Sequence, residues 1–339
     1  MTVVELASRV EEPLESVEEL LQGRATITLG VARKLEGVLG ASVEFWISRD
    51  FQYRQSVERI NQTSREWLRE LPVGDMIKFG WIKPKPHPSD EVSACLRYFN
   101  VPSVSAWRDF YGGLQQLAAF RTSPSLDSRP GSVAAWLRRG EIEAEAIDCK
   151  PWNPEHFRAV LPQVRALTRE KDPERFIPEL QKCCAEAGVA VVIVRGPTGC
   201  RASGATRFLT VDKALLLLSF RYLSDDQFWF TFFHEAGHLL LHGKTAWFVE
   251  GLDSSITAQE AEANDFAAQM LIPVEFTAEL LSLGKNSQEI VRFARKVGIS
   301  PGIVVGQLQH LGKVKRNYFN ALKRRFEWQN VTTLSRGNS

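Results

Sequence analysis

The sequence predicts an α+β protein in which a small sheet lies between two helical regions. Helix patterns separated by Gly and Pro fill the first half of the 339-residue chain. Apolar runs at 189–194 and 214–219 follow, and their Val and Leu content is typical of buried strands. The next helix pattern contains His-Glu-Ala-Gly-His at 234–238. These three observations give the fold class and also a candidate metal motif.

Changes in composition divide the chain into four segments. Residues 1–60 predict a helical module, and 61–150 predict a helical connector with a Pro-rich linker. The strands and the His-Glu motif fall in 151–312, which we expect to form one domain. The last segment, 313–339, is a basic tail. A chain of this length suits two or three domains and can bury a sizeable core.

Short helices succeed one another in the N-terminal module. One opens near Val4, the next spans 13–23, and further helical segments follow at 27–35 and 42–46. Gly and Pro residues separate them, because neither continues a helix well. Such a succession of short helices is typical of a helix-turn-helix.

The connector alternates between helical and extended patterns. A helix is expected to start at 61–64, and the Pro-rich stretch 82–88 should be extended. Residues 91–148 predict short helices, with a loop at 121–130 between them. Nothing in this segment indicates chemistry of its own.

Three strands are expected ahead of the metal motif. They lie at 189–194, 208–211 and 214–219, with a turn at 212–213 between the last two. The motif helix follows directly, so the sheet should lie against it. A strand at the edge of such a sheet can bind the backbone of an extended peptide.

The segment 234–238 places two imidazoles within reach of one metal ion. His234 and His238 are four residues apart, so they lie on one face of a helix. Glu235 lies beside them, where it can accept a proton from a metal-bound water. This His-Glu-x-x-His arrangement is the signature of zinc peptidases. Zinc in such sites also needs a third protein ligand and one position left for water.

The third ligand is expected on an Ala-rich helix that follows the motif. Glu260 is our first candidate, and Asn264 shares its helix face and could brace a ligand. A second interpretation makes Glu260 the third helical residue of a capping box that begins at Thr257. Glu262, which points about 200° away from Glu260 around the helix, would then be the ligand.

His242 lies four residues beyond His238 and extends the metal face by one turn. Gly243 follows at once, which places His242 in the last turn of the helix. We therefore interpret His242 as a residue that supports a metal ligand without binding the metal.

Three stretches of the sequence resemble the ImmA/IrrE family of bacterial metallopeptidases. They are 219–238, with the His-Glu motif, 260–267, with its Glu-Ala-Glu-Ala-Asn-Asp-Phe-Ala run, and 300–310. The resemblance extends over about 180–312. It implies a gluzincin-type zincin fold in which two His and one Glu hold Zn²⁺, and the family's Glu corresponds to Glu260. It also implies an endopeptidase that acts on a regulatory protein such as a transcriptional repressor, in stress response, mobile-element or toxin–antitoxin control.

The N-terminal module resembles the Xre/HigA antitoxin type of helix-turn-helix domain, with the family's first helix expected to be absent. This implies a DNA-binding antitoxin or transcriptional regulator that uses the metallopeptidase fold as a sensor or docking domain. The helix expected to read DNA, together with the residues just before it, carries five acids and no cation, whereas DNA phosphates attract cations. Dimerisation or docking of a partner is the other interpretation of the module. The acids are Glu11, Glu12, Glu15, Glu18 and Glu19.

Composition limits where the protein works and what it contacts. The five cysteines show no Cys-x-x-Cys spacing and no secretory signal precedes them, which indicates a reducing cytoplasm. No apolar run reaches the roughly 18 residues that a membrane span needs. The basic tail could contact nucleic acid or an acidic partner, or form a solvated helix face. Its cations are Lys313, Lys315, Arg316, Lys323, Arg324, Arg325 and Arg336.

Overall fold

A computed structural model describes residues 1–85, 87–119, 129–242, 248–249 and 257–328. The chain forms two compact units, Met1–Leu68 and Arg69–Ser339. Within the described residues most of the chain is helical, and one small sheet lies in the second unit. The α+β class predicted from the sequence is confirmed. None of the helices in these residues is both long and apolar enough to cross a membrane.

Four helices account for the first unit. They are α1 Val3–Arg9, α2 Leu14–Leu21, α3 Leu29–Leu39 and α4 Val43–Glu70, whose last two residues belong to the second unit. A small core of Ala7, Val10, Val17 and Leu35 holds α1, α2 and α3 together. The helix start expected at 61–64 is wrong, because α4 passes through this stretch without a break. Neither Gly nor Pro occurs in α4, and Gln62 there bonds Glu66 one turn on, at 3.0 Å.

Six helices open the second unit. They are α5 Val73–Lys78, α6 Pro88–Phe99, α7 Val104–Ala119, α8 Pro130–Glu145, α9 Pro154–Leu167 and α10 Pro173–Ala185. The loop expected at 121–130 lies outside the described residues up to 128, and Pro130 already begins α8. The middle of α8 is buried, and its Trp136 indole N–H donates to the Val194 carbonyl at 2.9 Å. Residues assigned to the connector thus cover the sheet.

The sheet has four strands in the order β1-β3-β2-β4. They are β1 Val189–Ile193, β2 Gly204–Thr210, β3 Lys213–Leu218 and β4 Phe248–Val249. β1 runs parallel to β3, while β2 is antiparallel to both β3 and β4. The three expected strands are confirmed, although β2 begins at Gly204 rather than at 208. β4, only two residues long, was not predicted.

Helices complete the second unit after the sheet. They are α11 Asp225–Leu241, α12 Thr257–Leu271, α13 Thr277–Ser282, α14 Ser287–Val297 and α15 Pro301–His310, with 3-10 turns at Val274–Phe276 and Asn320–Leu322. Helix α11 is buried along most of its length and packs against α12, α15, β2 and β3. The His-Glu motif therefore lies at the centre of the unit.

The described part of the basic segment, 313–328, packs against the rest of this unit. Phe326 lies in the main core, with its ring centroid 5.2 Å from that of Phe220. The Lys323 ammonium lies 2.6 Å from the Asp226 carboxylate at the start of α11. Some of the cations that the sequence analysis placed in a tail therefore serve internal pairing.

Candidate metal centre

Helix α11 presents both motif histidines toward α12. The two imidazoles are almost fully buried, with 1% of each residue exposed. Their Nε2 atoms lie 3.0 Å apart, because residues four apart stand one above the other on a helix. Two acids in the first turn, Asp225 and Asp226, are favourable at the positive end of the helix dipole.

Glu260, in the first turn of α12, brings its carboxylate to both imidazoles. Its Oε2 lies 3.3 Å from His234 Nε2, and its Oε1 lies 3.4 Å from His238 Nε2. One nitrogen or oxygen from each of these three residues falls within 4.8 Å of the others. Among the described residues this is the group of His, Cys, Asp and Glu side chains that could hold a metal ion.

Small residues allow α12 to come this close to α11. A Cβ added at Gly237 would lie 3.3 Å from the Ala263 Cα and 3.1 Å from the Phe266 ring. Ala263 and Ala267 on the facing side are fully buried. The Gly of the motif and the Ala-rich composition of α12 therefore position Glu260 as well as favouring the helix.

The separations fit zinc. Four ligands about 2.0–2.1 Å from a tetrahedral ion stand about 3.3–3.4 Å apart. The two contacts of Glu260 match that spacing, and the distance between the two Nε2 atoms is slightly shorter. Two imidazoles and a carboxylate are also a ligand set that zinc favours. The three side chains therefore fit the metal that the sequence predicts.

The outer nitrogens of the imidazoles are held by other side chains. His234 Nδ1 lies 3.0 Å from Asn264 Oδ1, and His238 Nδ1 lies 2.9 Å from His242 Nδ1. An amide oxygen only accepts, so His234 carries its proton on Nδ1 and its lone pair on Nε2. That lone pair points toward Glu260, where a metal ion would use it.

The protonation states also suit metal binding. Burial lowers the pKa of His238, which favours the neutral imidazole. Burial acts to raise the pKa of Glu260, but its close contacts with the imidazoles of His234 and His238 outweigh burial and lower the pKa to about 2. Both shifts favour the deprotonated forms, and metal ions bind these forms.

Glu235 is fully buried beside the two histidines, below the start of β2. A Cβ added at Gly204 would lie 2.4 Å from Glu235 Oε1 and 2.7 Å from Thr231 Cγ2. Only a glycine allows the strand to pass this close to the carboxylate. The backbone pairing of β2 with β4 starts at the next residue, Ala205.

The structure brings the predicted residues together as follows. Glu260 faces the two motif imidazoles, whereas Glu262 contacts His242. Asn264 and His242 each contact one motif histidine. It stays a prediction that His234, His238 and Glu260 bind the metal. The supporting roles of Asn264 and His242 also stay predictions.

Two residues at this site were not predicted from the sequence, Gly204 and Glu262. Gly204 lay outside the predicted strand, because Gly is depleted in strands and does not indicate one. Glu262 was considered only as a rival ligand, yet its Oε2 lies 3.0 Å from His242 Nε2. The four-residue spacing of the motif histidines with His242 could have indicated a partner on the facing helix.

A comparison with protein families agrees with this geometry. The Peptidase_M78 family model, described as the IrrE N-terminal-like domain, matches residues 189–308. The match extends from β1 to α15 and includes all three converging side chains. No curated protein sequence matches the chain. The resemblance to an ImmA/IrrE-type metallopeptidase is confirmed for this region, whereas the helix-turn-helix resemblance of the N-terminal module stays a prediction.

Proposed function

We propose that the protein is a zinc-dependent endopeptidase that cleaves a regulatory protein such as a transcriptional repressor. The convergence of His234, His238 and Glu260 beside the buried Glu235 carries the proposal. The metallopeptidase similarity of 189–308 supports the reaction class. The kind of substrate rests on the family resemblance alone.

His234, His238 and Glu260 would hold the zinc ion. Bound there, zinc would supply Lewis acidity, lowering the pKa of a water molecule to about 7 and polarising the scissile carbonyl. Glu235 would act as general base and then as general acid: its carboxylate accepts the proton of the attacking water and later passes it to the nitrogen of the leaving amine. Asn264 and His242 keep the two imidazoles oriented meanwhile.

Metal content tests the proposed site. Protein purified without added metal should contain about one zinc ion per chain, and His238→Ala should contain little, because two ligands bind zinc far more weakly than three. His156→Ala is the matched control, since His156 is exposed and lies on α9. Equal zinc in the wild type and the His238 variant would refute the assignment.

Cleavage tests the reaction class. Incubation with an unbiased peptide library, read by mass spectrometry, should yield new termini with the wild-type protein. A chelator should suppress these products and added Zn²⁺ should restore them. Products that persist after complete metal removal would argue against a zinc peptidase.

The first unit is proposed to dimerise or to dock the partner rather than to read a DNA sequence. Five acids and no cation lie on α2 and on the residues just before it, and the exposed carboxylates there would repel phosphates. Binding to the promoter region next to the gene should therefore be weak and should fade with salt. A nanomolar complex that resists random competitor DNA would instead support the antitoxin or repressor alternative.

A further inference from the structure

We propose that Glu262 is a positioning residue for the metal ligand His238 and acts on it through His242. The inference rests on the proposed metal site and deepens it. Three side chains form one continuous row of hydrogen bonds that starts at the site and ends at the surface. Its members are His238, His242 and Glu262.

The row has two links of ordinary hydrogen-bond length. His238 Nδ1 and His242 Nδ1 lie 2.9 Å apart, and His242 Nε2 lies 3.0 Å from Glu262 Oε2. The His242 side chain is 3% exposed, whereas that of Glu262 is 62% exposed. A buried imidazole therefore connects a metal ligand to a carboxylate in solvent.

The proton positions in this row follow from the chemistry of its two ends. His238 keeps a lone pair on Nε2 for the metal, so its proton is on Nδ1 and is donated to His242 Nδ1. His242 must then carry its own proton on Nε2. The ionised Glu262 carboxylate, which only accepts, receives that proton's hydrogen bond. No other arrangement of protons satisfies both links and leaves a lone pair for the metal.

Helix geometry makes this assembly possible. His242 is the C-terminal cap of α11, and its backbone N–H bonds the His238 carbonyl at 3.1 Å. Its ring is thereby held one turn beyond His238, facing α12. Glu262 lies two residues after Glu260 on α12, on the side that faces this end of α11. One helix thus supplies both a predicted ligand and the support of another ligand.

The two motif histidines therefore differ in their support. His234 donates to the neutral amide of Asn264, whereas His238 donates to an imidazole that a carboxylate polarises. A negative charge at the end of the row makes His242 a better hydrogen-bond acceptor. His238 in turn becomes a stronger electron-pair donor to the metal. Removing the charge should weaken metal binding without removing a ligand.

Zinc affinity, measured by competition with a chromophoric chelator, tests this inference through a double-mutant cycle. His242→Phe should weaken binding about 10- to 100-fold and Glu262→Ala about 10-fold. Glu262 acts only through His242, so the double variant should bind zinc about as well as His242→Phe alone. Asp265→Ala, which removes an exposed acid from the same helix, should change affinity less than about twofold. Wild-type affinity in Glu262→Ala, or losses that multiply in the double variant, would overturn the proposal.

A measurement on metal-free protein separates this inference from the proposed function. Nitrogen-15 NMR of the imidazoles should show the proton on Nδ1 of His238 and on Nε2 of His242. Glu262→Ala should shift the His242 signals, and Asp265→Ala should not. A His242 proton on Nδ1 would overturn the row even if zinc binds. A wild-type protein that fails to bind zinc would overturn the proposed function, while the NMR result would still decide the role of Glu262.

Discussion

Helix α11 carries a buried polar cluster at each end, and the two clusters are built in opposite ways. Toward the C-terminal end, the Nε2 atoms of His234 and His238 and the carboxylate of Glu260 face one another. At the N-terminal end, carboxylates of Asp225 and Asp226 face hydrogen-bond donors. The two histidines and the two aspartates are buried to a similar degree, so the difference between the clusters lies in what each acceptor meets.

In the N-terminal cluster, three of the four carboxylate oxygens accept hydrogen bonds from two distant parts of the chain, and Asp226 Oδ1 is the exception. Asp225 Oδ2 accepts from the Ser300 hydroxyl at 2.7 Å, and Asp225 Oδ1 accepts from the Arg324 backbone N–H at 3.0 Å. Asp226 Oδ2 accepts from the Lys323 ammonium at 2.6 Å. Close approach requires a glycine, since a Cβ at Gly302 would lie 2.3 Å from Asp225 Oδ1.

This difference distinguishes a cluster that stabilises the fold from a cluster suited to bind a cation. Buried acceptors normally meet donors, because an unmatched one costs free energy. The Asp225 cluster follows this rule at three of its four carboxylate oxygens and holds α11, α15 and the segment after 322 together. The His234 cluster gathers acceptors around one point, an arrangement that a cation stabilises. Local departures from the rules that stabilise a fold are expected at functional sites.

The largest expected effect comes from Glu235→Gln, beside the His234 cluster. An amide cannot accept the proton of the attacking water, so the cleavage rate should fall about 10²- to 10⁴-fold. Zinc content should stay at the wild-type level, because no ligand is changed. Peptide cleavage and elemental analysis on the same preparation test both statements. Cleavage at the wild-type rate would show that Glu235 is not the base.

Lys323→Ala should instead destabilise the cluster at the N-terminal end of α11. It leaves the Asp226 carboxylate, 3% exposed, without its cation and should lower the free energy of unfolding by about 3–5 kcal/mol. Lys296→Ala is the matched control, because its pair with Glu279 is 57% and 41% exposed and is worth about 0–1 kcal/mol. Urea unfolding of metal-free protein measures both. Equal losses in the two variants would contradict the assigned role of the buried pair.

Gly204→Ala tests how finely the site is positioned. Its methyl group would overlap the Glu235 carboxylate, and a displacement of about 1 Å can cost about 10² in rate. Zinc should remain bound. Gly74→Ala has nothing within 4 Å of its new methyl group and should leave the rate unchanged. An unchanged rate in Gly204→Ala would mean that Glu235 tolerates movement.

The smallest effect is a pH dependence at Asp225. Burial raises the pKa of this carboxyl above its ordinary value of 3.8, so the folded protein binds the proton more tightly than the unfolded chain. The stability of wild type relative to Asp225→Asn should therefore rise as pH falls through the raised pKa, and be fully gained below 3.8. Urea unfolding between pH 7 and pH 4, with chelator present, measures the slope. A slope of the opposite sign would contradict the raised pKa.

Local patterns were enough to predict much of the fold and of the candidate site. Hydrophobic runs located β1 and β3, and the spacing of His234 and His238 placed them on one helix face. Glu260 could be proposed from composition and the family resemblance. The sequence favoured Glu260 over Glu262 but could not decide between them, because which side chain faces the histidines depends on how α12 is rotated against α11.

The missed features all depend on contacts between distant parts of the chain. Gly204 matters only because Glu235 lies beneath it, and its own neighbours in sequence give no sign of that. In the sequence Lys323 belongs to a basic stretch typical of a solvated helix face, whereas in the structure it pairs with Asp226. Charge and periodicity report on a residue's neighbourhood in the chain, and these roles are set by neighbours in space.

The N-terminal cluster also fixes the order of events during synthesis. Asp225 and its partner Arg324 are 99 residues apart in the chain, and Lys323 follows Asp226 by 97. At about 5–20 residues per second, a ribosome that has finished the start of α11 needs about 5–20 s more to make those partners. Until then the helix that bears His234, Glu235 and His238 lacks the contacts that anchor its first turn. A nascent chain therefore carries its His-Glu motif for several seconds before the contacts that support the motif helix can form.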